Sequence, residues 1–579
     1  MADPLFTISS TLRAAFAVVT GLPPEEIDPV VRPSDRADAQ ANGALALARQ
    51  LGKQPREIAE AVVATGMLAA SCSVTEVAGP GFINLTFKPE FLASELADAA
   101  GDERLGVRLA GQQRTVVIDY SHPNVAKEMH VGHLRTTIIG DSLVRLLRFV
   151  GHRTILENHI GDWGRQFGML IEHLLDLGET EGAHELSVGD LNTFYREAAR
   201  KFDDNDEFKD RSRRRVVELQ GGDAETLRLW HLLVDESMRY FNQVYAQLGV
   251  LLSNDDLMGE SAYNDMLAMV VDRLRDQGLL QHSQGAEVVF ADGFVNREGD
   301  PLPLIVRNSL GGFLYAATDL ACIIDRVERL HADLLVYVVG APQAHHLNMV
   351  FAVARMAGWL APPVEAVHVA FGNVLGEDRK MFKSRTGDTV KLSDLLDEAV
   401  ARATASVREK NPEMSPSEQA EVGEMIGIGA IKYADLSTDR LKDYVFDWER
   451  MLAFDGNTAP YLQYAHARIC SIFRRADLER ASLGSIVPSL AAPQERALAL
   501  ALLQFDTTVH DTLDKFSPHR LCTYLFELAQ AFTSFYEACP VLKDGHEATR
   551  ESRLALCDIT ARTLHQGLFL LGIEAPERM

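Results

Sequence analysis

The sequence is poor in cysteine, and its few cysteines are not spaced as a metal or disulfide site would require. No two form a Cys-x-x-Cys pair among the six, which are Cys72, Cys322, Cys470, Cys522, Cys539 and Cys557. This scatter argues against a structural zinc knuckle and a disulfide framework, and it is typical of a reducing compartment. We therefore expect buried free thiols and a cytoplasmic protein.

Long apolar runs and an excess of positive charge are also missing. No stretch of eighteen apolar residues occurs among the 579, so we predict no membrane span, and Asp3 without an early basic cluster argues against a secretory signal. The formal net charge is −25, whereas nucleic-acid-binding proteins usually carry a basic domain. A basic face can still lie on an acidic body, so a nucleic-acid partner stays possible.

Hydrophobic periodicity divides the chain into three parts. Residues 1–112 are predicted to form a small α+β domain, with helices at about 36–66 and 90–100 and two strands around the Gly-Pro-Gly turn of 74–87. Residues 113–395 alternate helical patterns with strand-like runs at 114–121, 152–164, 333–341 and 364–373. Residues 396–579 are predicted to be an α-helical domain without strands.

The alternation in the central part predicts the α/β class, with a doubly wound, Rossmann-like parallel sheet. A long, charged and mostly helical stretch at about 170–280 interrupts this alternation. We interpret it as a helical insertion between the two halves of the sheet.

Two histidines flank a glycine in His130-Val-Gly-His133, between the strand at 114–121 and a helix predicted from about 133. A metal site, ordinary packing and a phosphate-binding turn are the competing interpretations. The metal interpretation lacks a third ligand nearby and the HExxH spacing, so no structural metal is expected. The strand–turn–helix context favours phosphate, because a helix N-terminus offers free N–H groups. Gly132 would leave room for an adenine ring.

A second cationic stretch, 376–392, follows another predicted strand. It holds a serine and four cations in a glycine-containing loop: Arg379, Lys380, Lys383, Ser384 and Arg385. Cationic donors suit a leaving pyrophosphate, whose charge grows in the transition state. A solvated basic loop is the alternative, and the neighbouring HVGH turn favours the phosphate interpretation.

These stretches together resemble the signatures of class I aminoacyl-tRNA synthetases, since HVGH is similar to the HIGH motif and KMFKS to the KMSKS loop. Longer segments, among them NHIGDWGRQFGML, LYAATDL and APYLQYAHARI, resemble the arginyl-tRNA synthetases over nearly the whole chain. The HIGH-region motif comprises Pro123, Asn124, Val125, Ala126, Lys127, Glu128, Met129, His130, Val131, Gly132 and His133.

The resemblance implies an arginine–tRNA ligase that uses ATP to join L-arginine to tRNA(Arg) through an arginyl-adenylate, releasing pyrophosphate and AMP. It implies that the catalytic residues are His130, His133, Lys127 and Lys383, and that ATP is bound by His130, Gly132, His133, Lys380, Lys383 and Ser384. Mg²⁺ would arrive with ATP. Phe382 departs from the usual motif, and the division of phosphate charge between the two catalytic lysines stays open.

An arginine site needs carboxylates for the guanidinium, an aromatic face, and amides for the α-amino and carboxylate groups. Tyr315 and Asp319 are four residues apart and therefore share a helix face. Each candidate alone also fits an ordinary surface or core role. The resemblance implies a pocket formed by Asp119, Asn124, Glu260, Tyr315, Asp319 and Gln343.

The resemblance also implies an anticodon-binding role for the C-terminal domain and contact of the N-terminal domain, through Asn84, with the outer corner of tRNA. The segment APYLQYAHAR mixes rings with cations, as single-stranded bases require, in Tyr461, Tyr464, His466 and Arg468. Both tyrosines fit a helix core equally well. Basic clusters at 197–215 and 440–475 would supply the basic face.

The family further implies a monomer that forms the adenylate only with tRNA bound. Two rival functions are an amide-forming adenylyltransferase with the same fold and a non-catalytic tRNA-binding paralogue. The flanking domains argue against the first, and intact His130, His133 and Lys383 argue against the second.

Overall fold

The structure is a computed structural model that describes residues 3–178, 191–376, 378–380, 390–476, 480–483, 486–542 and 546–579. Its architecture is mostly helical α/β, with an antiparallel sheet near the N-terminus, a parallel sheet at the centre and helices toward the C-terminus. The predicted fold class is confirmed. In the described residues, no helix is both long and apolar enough to cross a membrane.

The N-terminal part packs helices against a four-stranded antiparallel sheet of order β1-β2-β4-β3. Its elements are α1 (Pro4–Thr20), β1 (Val31–Ser34), β2 (Ala37–Ala41), α2 (Gly43–Leu51), α3 (Pro55–Ala64), β3 (Cys72–Ala78), β4 (Phe82–Phe87) and α4 (Pro89–Gly101). The helix predicted for 36–66 is wrong at its start, because β2 pairs with β4 through Ala39 and Leu85. Tertiary pairing there overrides the helix propensity of an alanine-rich segment.

The central sheet has the order β11-β10-β5-β6, and all its strands are parallel. Its strands are β5 (Thr115–Asp119), β6 (Arg153–Glu157), β10 (Leu334–Tyr337) and β11 (Glu365–His368). Helices α5 (Val131–Phe149), α11 (Tyr315–Glu328) and α12 (Ala344–Met356) connect or cover these strands. The inner strands β5 and β10 are almost fully buried, which agrees with their apolar character, whereas the edge strands β6 and β11 are partly exposed.

Between the two halves of this sheet lies a mainly helical stretch, followed by a small antiparallel sheet that the sequence patterns did not reveal. The helices are α6 (Gln166–Leu177), α7 (Leu191–Asp204), α8 (Asp206–Gln220), α9 (Ala224–Leu248) and α10 (Leu267–Asp276). The sheet is formed by β7 (Gln281–Ser283), β8 (Ala286–Val295) and β9 (Pro301–Arg307).

The described residues of the C-terminal part form helices and one short strand. Its helices are α13 (Leu392–Lys410), α14 (Pro416–Leu436), α15 (Trp448–Met451), α16 (Ala459–Ala476), α17 (Pro493–Leu502), α18 (Phe505–Asp514), α19 (His519–Ala538) and α20 (Glu547–Leu570). The expectation of no strand after 395 is wrong at β13 (Tyr444–Val445), which pairs in parallel with β12 (Val374–Leu375). A two-residue strand carries too little periodicity to stand out in the sequence.

A buried ion pair fixes α5 to the C-terminal part. The Arg135 guanidinium lies 3.0 Å from the Asp435 carboxylate and also donates to the Lys442 carbonyl. Its charge lies over the rings of Tyr444 and Phe371, at 5.4 and 5.8 Å from their centroids. The helix that begins at HVGH is therefore held by contacts from beyond residue 395.

Candidate active site

The candidate site lies where the order of the central strands reverses. Strand β5 lies between β6, the next strand in the chain, and β10, which comes much later in the chain. At the carboxyl ends of β5 and β10, Asp119 pairs with Tyr337. Doubly wound folds bind ligands in the crevice at such a switch point. The HVGH turn stands at this edge of the sheet, because α5 begins there.

A cavity of about 390 Å³ opens at this position. All six residues predicted to contact arginine line it: Asp119, Asn124, Glu260, Tyr315, Asp319 and Gln343. They come from four separate segments of the chain. The sequence patterns missed several other lining residues, which are His122, His159, Thr318, Cys322, Tyr337 and His346.

Two glycines allow the loops of this cavity to approach each other closely. A Cβ at Gly161 would stand 2.5 Å from the Asn124 side-chain oxygen, and one at Gly259 would stand 2.4 Å from the Asp162 carboxylate. That carboxylate accepts hydrogen bonds from the backbone and hydroxyl of Ser261, at 2.9 and 2.6 Å. The segments Gly161-Asp162-Trp163 and Gly259-Glu260-Ser261 therefore pack together as one unit, and this unit presents Glu260 to the cavity.

Glu260 is a carboxylate without a cationic partner in the described part of the chain. Burial raises its pKa to about 7, and the nearby charges of Asp162 and Asp319 add to this effect. A cation arriving in the cavity would stabilise the ionised form. Glu260 is thus prepared to bind a positively charged group.

Asp319 and Asp119 differ from Glu260 because each already has a partner. His346 Nε2 lies 2.5 Å from Asp319 Oδ2, and Asp119 is held between His122 at 2.5 Å and Arg326 at 2.7 Å. Burial alone would raise the pKa of Asp119, but Arg326 and His122 lower it well below its ordinary value.

Arg326 is a buried arginine beneath the cavity. It bridges Asp119 and Glu157, with 2.7 Å to each carboxylate, and its guanidinium lies 4.8 Å from the Tyr337 ring centroid. Since a buried charge is tolerated only when paired, this cluster forms a rigid, charge-compensated floor. The side chain oxygens of Asp119 are consequently committed to protein partners, and Glu260 and Asp319 remain the better acceptors for a guanidinium.

The acidity of Glu260 makes the affinity for a cationic ligand depend on pH. At pH 6 the protonated form should exceed the carboxylate by about 10-fold, so we expect the KM for a guanidinium substrate to fall by roughly that factor between pH 6 and 8. Initial rates at both pH values measure this change. Glu260→Gln should bind more weakly and lose the part of the pH dependence that Glu260 contributes, and an unchanged slope in that variant would contradict the assignment.

The HVGH turn fixes the protonation of its two histidines. His130 Nδ1 accepts the Gly132 N–H at 3.0 Å, and His133 Nδ1 accepts the His130 N–H at 3.0 Å. Burial lowers the pKa of both imidazoles, to about 3 for His133. Both rings are therefore neutral with the proton on Nε2, and each offers an N–H donor at the helix N-terminus. The expected adenine space above Gly132 holds the His130 ring here, 2.7 Å from an ideal Cβ.

Lys127 stands close to these histidines. Its ammonium lies 4.2 Å from the Tyr195 ring centroid, and its charge contributes to the lowered pKa of His130. The preceding backbone is unusual, because Ser121, His122 and Ala126 all have positive φ, at 82°, 53° and 58°. Such conformations in residues other than glycine cluster at functional sites.

The second cationic stretch is described only at its two ends. Lys380 is exposed, whereas Lys383 and Ser384 lie outside the described residues. Beyond the loop, Leu392 N–H donates to the Met129 carbonyl at 2.9 Å, and Lys391 Nζ lies 3.0 Å from Glu128 Oε1. The segment that closes this loop is thus attached directly to the HIGH-region motif.

The residues predicted to contact nucleic acid have mixed surroundings. Tyr464 is 46% exposed, whereas Tyr461 packs on Phe526 with 5.6 Å between ring centroids, and Arg468 lies over Tyr536. Asn84 is half-buried and accepts a hydrogen bond from Gln40 at 2.8 Å.

The inclusion of His466 among these cations is wrong. Its side chain is buried and hydrogen-bonded to the Pro576 carbonyl, and burial lowers its pKa to about 4. The 197–215 cluster is also partly neutralised, since Arg211 and Arg215 both bind Glu172.

A parallel sheet with a histidine turn at its switch point and an acidic cavity beside it defines the catalytic domain of a class I aminoacyl-tRNA synthetase. Three family descriptions match the chain: "tRNA synthetases class I (R), catalytic domain" at 96–448, "DALR anticodon binding domain" at 462–579 and "Arginyl tRNA synthetase N terminal domain" at 7–87. The chain belongs to the arginine–tRNA ligase family. It is accordingly an ATP-using enzyme that attaches arginine to tRNA.

Similar proteins agree with this family over the full length. The chain is 53% identical to the arginine–tRNA ligase of Thermobifida fusca, covering 100% of both chains, and 49% identical to that of Cellvibrio japonicus, covering 98% of both. Among solved structures it matches the arginyl-tRNA synthetases of Plasmodium falciparum and Thermus thermophilus, with TM-scores of 0.84 and 0.80. Their identities are 28% and 27%, and each match covers 100% of both chains.

Proposed function

We propose that the cavity at the switch point binds L-arginine and that the HVGH turn binds the phosphates of ATP beside it. The observation that carries this proposal is the convergence on one cavity of the six residues that the family resemblance implies for arginine. In it, Glu260 and Asp319 receive the guanidinium, and the exposed Tyr315 ring lies on the same side of the substrate. Asn124 and Gln343 receive the α-amino and carboxylate groups.

The residues then position two successive transfers. The arginine carboxylate attacks the α-phosphate of ATP, a new oxygen–phosphorus bond forms, and pyrophosphate leaves with the electrons of the broken bond. The terminal ribose hydroxyl of tRNA next attacks the arginyl carbonyl. The bond from that carbonyl to the phosphate oxygen breaks, and AMP leaves while the hydroxyl proton passes to the departing phosphate. The Nε2–H groups of His130 and His133 stabilise charge on phosphate without a proton transfer.

Lys127 and the loop residues Lys380, Lys383 and Ser384 are proposed to hold the phosphates of ATP. Lys127 already stands near His130, which makes it the cation for the inner phosphates, and leaves Lys383 for the leaving group. Mg²⁺ is proposed to accompany ATP, bound mainly by phosphate oxygens and water. The described residues contain no group of three or more metal-binding side chains.

The flanking parts are proposed to bind tRNA, with residues 1–112 on its outer corner through Asn84 and residues 396–579 on the anticodon through Tyr464 and Arg468. Residues 113–395 would be the catalytic domain. A monomer is proposed, as the family resemblance implies. The six free, buried cysteines fit a cytoplasmic enzyme.

The decisive measurement is single-turnover charging of tRNA(Arg) with labelled arginine, alongside ATP–pyrophosphate exchange for a panel of amino acids. We expect charging with arginine, and exchange with arginine only when tRNA is present. Full exchange without tRNA would refute the dependence on tRNA. Exchange with a different amino acid, or binding of tRNA without charging, would refute the proposed assignment.

A further inference from the structure

The arginine cavity contains an imidazole of its own beside the position proposed for the substrate guanidinium. His346 Nε2 lies 2.5 Å from Asp319 Oδ2, and both side chains line the cavity with 35% and 24% of their surface exposed. In the described part of the chain, the other oxygen of Asp319 accepts no hydrogen bond from protein. One half of this carboxylate is thus occupied by histidine, and the other half faces the cavity.

We propose that His346 is a positioning and specificity-determining residue that holds Asp319 in both states of the pocket, as an imidazolium when the pocket is empty and as a neutral N–H donor when arginine is bound. This inference rests on the proposed function of the cavity. The proton lost from His346 passes to solvent as the guanidinium enters. The hydrogen bond to Asp319 Oδ2 is kept, because a neutral imidazole still carries one N–H.

The charges around the cavity support this exchange. The hydrogen bond to Asp319 raises the pKa of His346 above its ordinary value, although burial opposes it. The other titratable or charged groups that face the cavity or form its floor are Asp119, His122, Glu157, His159, Asp162, Glu260, Tyr315, Cys322, Arg326 and Tyr337. Arg326 already compensates Asp119 and Glu157, so a second permanent cation beside the guanidinium would be repelled.

The same contact explains how the pocket can prefer a guanidinium to an ammonium. With Oδ2 held by His346, Asp319 presents its remaining oxygen in one orientation, and Glu260 supplies a second acceptor. A planar fork can donate to both acceptors at once, whereas an ammonium is a point charge without that geometry. Without His346 the carboxylate would be free to rotate toward either cation.

The helix that carries His346 supplies a matched control. His345, the preceding residue, is exposed and makes an edge contact with Phe294 at 5.7 Å between ring centroids, and it does not line the cavity. His345→Gln therefore changes a histidine on the same helix without touching Asp319. His346→Gln keeps a neutral N–H donor at all pH values, and His346→Asn provides a second variant of smaller size.

Isothermal calorimetry of arginine binding to the full-length enzyme, in two buffers of different ionisation enthalpy at pH 6.5, counts the protons released. We expect wild type and His345→Gln to release the same number, and His346→Gln and His346→Asn to release fewer protons per arginine, with a difference of at least about half a proton. Discrimination against lysine, from competition with arginine charging, should fall by about 10-fold in His346→Asn.

Equal proton release in all four proteins would overturn the role of His346 while leaving the arginine pocket intact. Absence of arginine binding to the wild-type enzyme would instead overturn the proposed function itself. A histidine variant with altered proton release but unaltered lysine discrimination would contradict the specificity role. Thermal unfolding of each variant verifies that the compared proteins are folded.

Discussion

Replacing Asp319 with alanine is expected to raise the KM for arginine and to lower kcat/KM by at least ~100-fold. Asp319 faces the cavity beside Glu260, and its partner His346 would be left without its carboxylate. The guanidinium would then lose one charged acceptor in a partly buried site, where an unpaired charge is costly. Steady-state charging kinetics with saturating ATP and tRNA measure this loss.

A matched carboxylate stands on the same helix outside the cavity. Glu328 is 52% exposed in its side chain and pairs with Arg273, so Glu328→Gln should leave arginine kinetics within about 2-fold, as an exposed ion pair contributes little. The KM for ATP should stay nearly constant in Asp319→Ala, because the HVGH turn is separate from this carboxylate. Unchanged arginine kinetics in Asp319→Ala would contradict the pocket assignment.

The sequence predicted the sheet and its turn well because these depend on local periodicity. The apolar run at 114–121 contains β5, and the helical pattern after His133 corresponds to α5, which begins two residues earlier. The local sequence pattern did not predict strands whose pairing partners are distant in the chain. The strand at Ala37–Ala41 consists largely of alanine and becomes a strand only through β4.

The candidate pocket was predictable in its residues but not in its internal charges. Motif resemblance brings together Asp119, Glu260 and Asp319, yet spacing along the chain gives no sign that His346 contacts Asp319 across two helices. The sequence shows that two residues four apart in one helix are neighbours. A contact between α11 and α12 instead depends on how the two helices pack. The buried Arg326 is equally hidden, because its two carboxylates end different strands.

The backbone conformation in and just before the HIGH-region motif could not be predicted from the sequence either. Ser121, His122 and Ala126 adopt positive φ, a conformation for which sequence reasoning expects glycine or asparagine. Hydrogen bonds from beyond the segment hold it, including Ala126 N–H to Ser237 Oγ at 2.9 Å and Ser121 N–H to Thr136 Oγ1 at 3.0 Å. The shape of this loop is therefore a property of the assembled domain.

Replacing His133 with alanine is expected to lower kcat for charging by about 100-fold, with little change in the KM for arginine. Its Nδ1 accepts the His130 N–H, so only Nε2–H is available to a phosphate oxygen whose charge grows in the transition state. Because the pKa of His133 is lowered to about 3, the ring stays neutral in the range in which the enzyme is assayed, so Nδ1 continues to accept the His130 N–H and Nε2–H continues to face the phosphate. Single-turnover rates in rapid quench measure the chemical step directly.

Two further substitutions distinguish the two roles of the His133 ring. One role is to donate Nε2–H to phosphate, and the other is to cap α5 by accepting the His130 N–H at Nδ1. His133→Asn places an oxygen where Nδ1 accepts the His130 N–H and removes the distal N–H, whereas His133→Gln reaches the position of Nε2 with an amide donor. We expect His133→Asn to lose nearly as much rate as alanine and His133→Gln to recover about 10-fold of it. If His133→Asn instead charges tRNA at the wild-type rate, the histidine acts through the helix cap alone, and the phosphate must be stabilised by the backbone N–H groups of α5 and by Lys127.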